Sequence, residues 1–396
     1  MRAPIIGIDP HRILTDGKGV TTLVGFQGCP LRCKYCLNPH SIADDFIAEL
    51  MSVEELIDHL SKDDIYFRAT GGGVCFTGGE PLLHTDFIKS FREKAPKRWN
   101  IYIETSLNVD IDKIKAIEEI IDGWIIDIKD MNPEIYKDYT GVSNLKVLSN
   151  LKYLASKNIG EKITIRIPEI PSYNNDNDLS SSKTVLLSLG FSEDQFDLKL
   201  KYKDPNKIAK KKKYGISTKD IPIETLFKLH SEGKKEANSG SYTPPLIGKA
   251  ICHSLYEIRK QIAQIGNIYY TPQECNHKGG CSGSCPMCEE ELEILKDIEL
   301  NLTPAEQTRL FDTAISAISD LDRHSLNPSQ SNLFKGGMKQ LRITRSVTQG
   351  RLSPPHPLQL AKANSIDRLR RQGLTIEEIS KITGLTIDEI SKFRNK

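Results

Sequence analysis

The chain has 396 residues, 38% of them hydrophobic and 27% charged, with a formal charge of +2. These values describe a soluble globular protein with length for two or three domains, and no apolar run approaches the ~18 residues of a membrane span. No signal-peptide core follows Met1, so a cytoplasmic, reducing location is expected, and the nine cysteines read as metal ligands before disulfides.

From about residue 20 to 202 short β-rich runs alternate with helical stretches. The runs are Thr21–Phe26, Gly73–Thr77, Asn100–Thr105, Gly123–Lys129, Glu161–Pro168 and Gln195–Lys201. Between them lie Val53–Leu60, Thr85–Lys94, Ile111–Ile120, Ser143–Lys157 and Leu179–Leu189, each with helical character. Strand and helix in this alternation predict α/β architecture, with six parallel strands joined by five crossovers.

Successive strand side chains point to opposite faces, so each strand can be read as two rows. Ile101, Ile103, Ile126, Ile128, Ile163, Ile165 and Ile167 form aliphatic rows suited to packing under helices. The other rows carry Glu104, Asp127, Lys129 and Arg166. An open parallel sheet is apolar on both faces. Charge recurring on one face of three strands predicts the inner wall of a curved, partly open barrel around a polar ligand.

Two motifs carry the chemistry. The first is Gly28-Cys29-Pro30-Leu31-Arg32-Cys33-Lys34-Tyr35-Cys36-Leu37-Asn38-Pro39, three cysteines spaced C-x3-C-x2-C. Three thiolates can hold three corners of a four-iron cluster. On spacing alone, a distant residue closes the cluster, one iron stays open to a small molecule, or His40 helps to complete a zinc knuckle. The second motif, Gly78-Gly79-Glu80-Pro81, follows a strand directly. Its glycines allow close backbone approach, its proline stiffens the turn, and Glu80 offers a carboxylate to an ammonium group.

Together these motifs resemble the radical S-adenosylmethionine (SAM) enzymes, and among them the glycyl-radical-enzyme activases typified by pyruvate formate-lyase activating enzyme. The resemblance spans about residues 5–202. It also includes Asp16-Gly-Lys-Gly-Val, Glu104-Thr-Ser, Ile126-Asp-Ile-Lys, Tyr139-Thr-Gly-Val-Ser-Asn144 and Ile165-Arg-Ile-Pro-Glu-Ile-Pro171. It implies a partial (β/α)6 radical-SAM barrel and a [4Fe–4S] cluster on Cys29, Cys33 and Cys36. SAM would chelate the open iron, with Tyr35 and Leu37 on the adenine side and the Gly78, Gly79, Glu80 turn at the methionyl ammonium. Asp127, Ile128, Lys129 and Arg166 would line the SAM cavity. A flavodoxin- or ferredoxin-type donor would supply the electron, and a glycine Cα–H of a partner glycyl radical enzyme would be the target. The chain departs from the family pattern at Lys18, Thr21, Leu107 (where glycine is expected) and Lys201-Tyr202-Lys203, where Pro-Tyr-His is usual.

Beyond residue 202 lie the lysine-rich run 207–213, a linker-like segment 238–245, a helix of about Gly248–Gln264 and a second helix Thr303–Asp322. Between the helices stands Cys275-x5-Cys281-x3-Cys285-x2-Cys288. Four thiolates suit an auxiliary [4Fe–4S] cluster or structural zinc. Cys75 and Cys252 read as packed thiols. Residues 335–396 carry 13 Lys/Arg against 5 Asp/Glu, and two copies of Gly-Leu-Thr-Ile-x-Glu-Ile-Ser-Lys give capping boxes at Thr375/Glu378 and Thr386/Glu389. This small all-α module reads equally as a nucleic-acid-binding helix-turn-helix or a docking module. The expected division is a barrel over 1–235, the Cys-rich extension over 246–300, a helix and flexible linker over 301–358, and the basic module over 359–396. Two further readings stay open at this point: a radical SAM maturase of a ribosomal peptide, and an iron–sulfur redox-sensing DNA-binding regulator.

Overall fold

The computed structural model describes residues 1–13, 15–44, 46, 48–157, 159–197, 202, 245–268, 286–324, 366, 369–370, 374–383 and 385–391. The chain opens with β1 (Arg2–Ile13), β2 (Val20–Phe26) and β3 (Glu49–Ser52). Then come α1 (Val53–Leu60), α2 (Asp64–Thr70), β4 (Gly73–Gly78), α3 (Thr85–Lys94), β5 (Asn100–Thr105), α4 (Ile111–Lys115) and β6 (Gly123–Asp127). The series continues through α5 (Pro133–Thr140), α6 (Leu145–Ala155), β7 (Ile163–Arg166), α7 (Asp176–Ser188) and β8 (Phe196–Asp197).

The sheet order is β3-β1-β2-β4-β5-β6-β7-β8. From β2 to β8 every pairing is parallel, giving the six strands and five crossovers that the alternation predicts. The first and third strands were not foreseen; β1 pairs antiparallel with both β2 and β3 and extends the sheet at one edge. Helices α1 and α3 match their predicted bounds residue for residue.

Local chemistry explains the helix starts. Ser52 and Glu55 form a capping box at α1, satisfying two amide donors that the helix leaves free. Asn132 accepts from Glu134 and Ile135 at α5, Pro133 occupies its first turn, and Gly141 ends it in the left-handed region.

The two rows of each strand separate as the alternation requires. Val24, Phe76, Ile103, Ile126 and Ile165 face the helices and join the main core. Ile6, Leu23, Cys75, Tyr102 and Ile125 form a second cluster inside the curve, which accounts for Cys75 as a packed thiol. Above it, towards the C-terminal ends of the strands, the inner row becomes polar with Thr77, Glu104, Asp127 and Arg166. Ligand sites of parallel sheets sit at these strand ends.

At the opposite end, three helices pack onto the barrel: α8 (Pro245–Ile265), α9 (Pro286–Leu295) and α10 (Pro304–His324). Leu255, Ile258, Ile262, Leu295, Leu310 and Phe311 share one core with Ile13, Val20, Ile65 and Tyr66. This shared core is anchored on α2. Arg68 donates to the carbonyl of Ile298 at 2.8 Å, and Gln307 donates to the carbonyl of Arg68 at 2.8 Å. The C-terminal module holds α11 (Ile376–Thr383) and α12 (Ile387–Ser391) around Ile366, Leu369, Ile379 and Ile390. The capping box at Thr375 and Glu378 is formed. The lysine-rich run, the linker and most of the basic residues assigned to the tail lie outside the described residues. No described helix is long and apolar enough to cross a membrane.

Candidate active site

The three-cysteine loop leaves β2 and is tied down on both sides. Gly28 N–H donates to the Ser41 carbonyl at 2.8 Å, and Glu80 N–H donates to the Gly28 carbonyl at 2.8 Å. Gly79 N–H reaches the Phe26 carbonyl at 2.9 Å, and Asn38 Nδ2 donates to the Gly78 carbonyl at 3.1 Å. The two motifs are therefore one structure. Its closeness requires glycine: Gly78 has φ +101°, and a Cβ on Gly79 would stand 1.9 Å from the Gly28 oxygen. On the far side, Arg32 N–H donates to the Thr140 carbonyl at 2.8 Å and Lys34 N–H to the Tyr139 carbonyl at 3.1 Å. The end of α5 thus brackets Cys33.

These elements enclose a cleft with about 600 Å3 of empty space, part of it open to solvent. Cys29, Cys33, Cys36, Tyr35, Leu37, Gly78, Gly79, Asp127 and Lys129 all line it, nine of the twelve residues expected at the first site. The other three lie behind the wall. Ile128 is fully buried. Arg166 reaches the cavity through Glu104, which lines it.

Glu80 is 1% exposed, and its carboxylate is occupied. Thr105 Oγ1 donates to Oε1 at 2.6 Å, while Ser106 Oγ and N–H donate to Oε2 at 2.7 and 3.0 Å. Burial still pushes its pKa up against these bonds. Glu80 thus fixes the turn to the end of β5, and the face of the turn towards the cavity is made by Gly78 and Gly79.

The polar wall is paired internally. Lys129 Nζ lies 2.6 Å from Asp127 Oδ2 and 2.7 Å from the Tyr202 hydroxyl, which itself donates to Asp127 Oδ2 at 3.2 Å. Burial pulls the Lys129 ammonium down, but Asp127 together with Tyr202, Cys33 and Tyr139 outweighs it, and the pKa stands well above its ordinary value. Tyr202 also lines the cavity; its neighbours Lys201 and Lys203 lie outside the described residues.

The residues fit an iron–sulfur cluster with a polar ligand. Three soft thiols, the donor type such clusters use, open onto one cavity. Burial pushes Cys29 and Cys33 up to about 12 and raises Cys36, so these thiols take a proton when no cation draws it off. Three buried polar atoms of cavity-lining residues have no hydrogen-bond partner among the described residues: Asp127 Oδ1, Ser41 Oγ and the Tyr139 hydroxyl. Such orphans are costly unless a ligand satisfies them. The sequence gives no sign of Ser41 as a site residue, and it offers Thr105, Ser106, Tyr139 and Tyr202 only as parts of motifs.

Of the second cysteine set, Cys288 is described and buried, 3.9 Å from Arg259 Nη2; Cys275, Cys281 and Cys285 lie outside the described residues. Arg259 also meets Glu291 at 2.9 Å and the Tyr66 hydroxyl at 2.7 Å. This cluster adjoins the start of β2, whose seven residues span roughly 20 Å at ~3.3 Å each. Cys288 and the cavity therefore stand at opposite ends of the strands. Cys252 is half-buried on α8.

A parallel barrel with three thiols and a Gly-Gly-Glu-Pro turn at its strand ends is the arrangement that the resemblance to radical SAM enzymes implies. Residues 23–179 match the Radical SAM superfamily. The chain is 31% identical over 238 residues to the (2S)-3-sulfopropanediol dehydratase activating enzyme of Klebsiella oxytoca, covering 44% of this chain and 74% of that one. It is 34% identical over 167 residues to the pyruvate formate-lyase 1-activating enzyme of Escherichia coli strain K12, covering 41% of this chain and 66% of that one. Among solved structures, a domain of pyruvate-formate lyase-activating enzyme from Bacteroides vulgatus ATCC 8482 matches with 27% identity and a TM-score of 0.30, over 34% of this chain and 83% of that one. This chain belongs to the radical SAM superfamily, in its family of glycyl-radical-enzyme activating enzymes.

Proposed function

We propose that this chain holds a [4Fe–4S] cluster on Cys29, Cys33 and Cys36, binds SAM at the remaining iron, and abstracts a hydrogen atom from a glycine of a partner glycyl radical enzyme. The cluster and SAM would supply the chemistry, a one-electron reductive cleavage of SAM to methionine and a 5′-deoxyadenosyl radical. The observation that carries this reading is the convergence of three thiols and three unpartnered polar atoms on one cavity.

The chain's own residues divide the remaining work. Gly78 and Gly79 present backbone to the methionyl ammonium, while Glu80 fixes their turn. Lys129 offers a cation to a ligand carboxylate, held in place by Asp127 and Tyr202. Tyr35 and Leu37 form the apolar side for adenine. Ile128 and Arg166 support the wall from behind. Half-burial of the thiols limits water at the reacting centre, which protects a radical from side reactions.

A glycyl radical enzyme is the partner that the names of the relatives support, and a flavodoxin- or ferredoxin-type protein of the cytoplasm would be the donor. The second cysteine set would form its own closed centre, iron–sulfur or zinc. The buried place of Cys288, far from the cavity, supports a role apart from the substrate.

The test mixes the reconstituted, reduced protein and SAM, without oxygen, with purified glycyl radical enzymes from the same genome. The expected result is the electron paramagnetic resonance doublet of a glycyl radical on one of them. Release of 5′-deoxyadenosine with no glycyl radical on any would overturn the partner assignment and leave the radical chemistry standing.

A further inference from the structure

Tyr139 closes α5 with its backbone and enters the cavity with its ring. The residue is 1% exposed, yet among the described residues its hydroxyl has no hydrogen-bond partner. A buried phenol normally finds one. The ring is held firmly: it meets Tyr35 edge-on at 6.2 Å and Tyr173 at 5.1 Å, and it packs with Ile170 and Tyr202. Cys33 packs against the same cluster. The backbone bonds from Arg32 and Lys34 to the end of α5 fix this residue beside Cys33.

We propose that Tyr139 is a cluster-facing residue, whose hydroxyl donates a hydrogen bond to a sulfur of the cluster at its Cys33 corner. This rests on the cluster assignment made above. The neutral phenol carries one O–H to donate. Of the groups beside it, the Tyr202 hydroxyl already accepts from Lys129 and donates to Asp127, and the Cys33 side chain packs against the same aromatic cluster. The sulfur at the Cys33 corner is therefore the acceptor that this packing favours. Hydrogen bonds to cluster sulfurs set reduction potential, because they stabilise the more negative, reduced state. Tyr139 thus eases the first electron into the cluster.

The experiment compares wild-type holoenzyme with Tyr139→Phe, which keeps the ring and its aromatic contacts. Iron content is counted first, then the one-electron midpoint is measured by anaerobic titration followed by electron paramagnetic resonance. We expect equal iron and a lower midpoint in Tyr139→Phe, equivalent to about a tenfold weaker reduction equilibrium, about 59 mV for one electron. Equal iron with an unchanged midpoint overturns the proposal. A second measurement needs no variant: the reduced wild-type cluster in D2O should show an exchangeable deuteron coupled to it, and its absence also overturns the proposal. Wild-type protein that takes up no iron would instead overturn the cluster assignment, and this inference with it.

Discussion

Arg166 Nη1 lies 2.5 Å from Glu104 Oε1, and both side chains are buried between the cavity and the interior of the barrel. Asp16 Oδ1 stands 3.7 Å from Arg166 on the other side, and Thr77 donates to the second Glu104 oxygen at 3.0 Å. Burial pushes the Glu104 carboxyl up to about 7 against the pull of Arg166, with Asp16 and Asp127 adding to it. Folding therefore favours the protonated form. The stability this group contributes is full below its ordinary value of 4.5 and is lost as pH rises towards 7. Unfolding titrations at pH 5 and pH 7 should show this fall in the wild type and a smaller one in Glu104→Gln. An equal fall in both would contradict the assignment.

Leu107 stands where the family pattern has glycine, and it adopts φ +56°. A side chain there costs ~1–2 kcal/mol, yet Leu107 is fully buried in the main core. Losing a buried leucine side chain costs ~2–5 kcal/mol, more than the strain it relieves. Leu107→Gly should thus destabilise the fold by about 1–3 kcal/mol in chemical denaturation. A more stable variant would show that strain dominates.

At Gly79 a methyl group would meet the Gly28 oxygen at 1.9 Å, so Gly79→Ala must part the turn from the cysteine loop. The expected outcome is a folded protein that retains well under half the iron of the wild type after reconstitution. Full iron loading would mean that the contact between the motifs does not shape the cluster site.

The Arg259–Glu291 pair ties the helical extension to Tyr66 of the barrel, with both ionic groups buried. Removing one partner of a buried pair costs ~3–5 kcal/mol, while replacing both with apolar side chains is often neutral. Arg259→Met should lower the melting temperature clearly, and Arg259→Met with Glu291→Leu should recover most of the loss. Because this cluster is remote from the cavity, 5′-deoxyadenosine release per folded molecule should be unchanged in the double variant.

Much of the barrel was legible because parallel strands under helices leave a strong local signal. Ile101, Ile103, Ile126 and Ile165 alternate with polar residues, and the capping box of Ser52 and Glu55 marks the start of α1. The first strand was not legible. Pro4, Gly7, Pro10 and His11 weaken its local β signal, and its order comes from antiparallel pairing with β2 and β3. The same division holds in the site. Cysteine spacing and the Gly-Gly-Glu-Pro turn announce themselves in one dimension. The grip of Thr105 and Ser106 on Glu80, and of Tyr202 on Lys129, joins residues 25 to 73 positions apart and exists only once the sheet has formed.

The central claim is that Cys29, Cys33 and Cys36 hold an open-iron cluster that cleaves SAM. The most direct test is 5′-deoxyadenosine release after anaerobic reconstitution, dithionite reduction and addition of SAM, with Cys33→Ala alongside the wild type. The wild type should release 5′-deoxyadenosine and Cys33→Ala none. Equal release by both proteins, or none from a fully iron-loaded wild type, would contradict it.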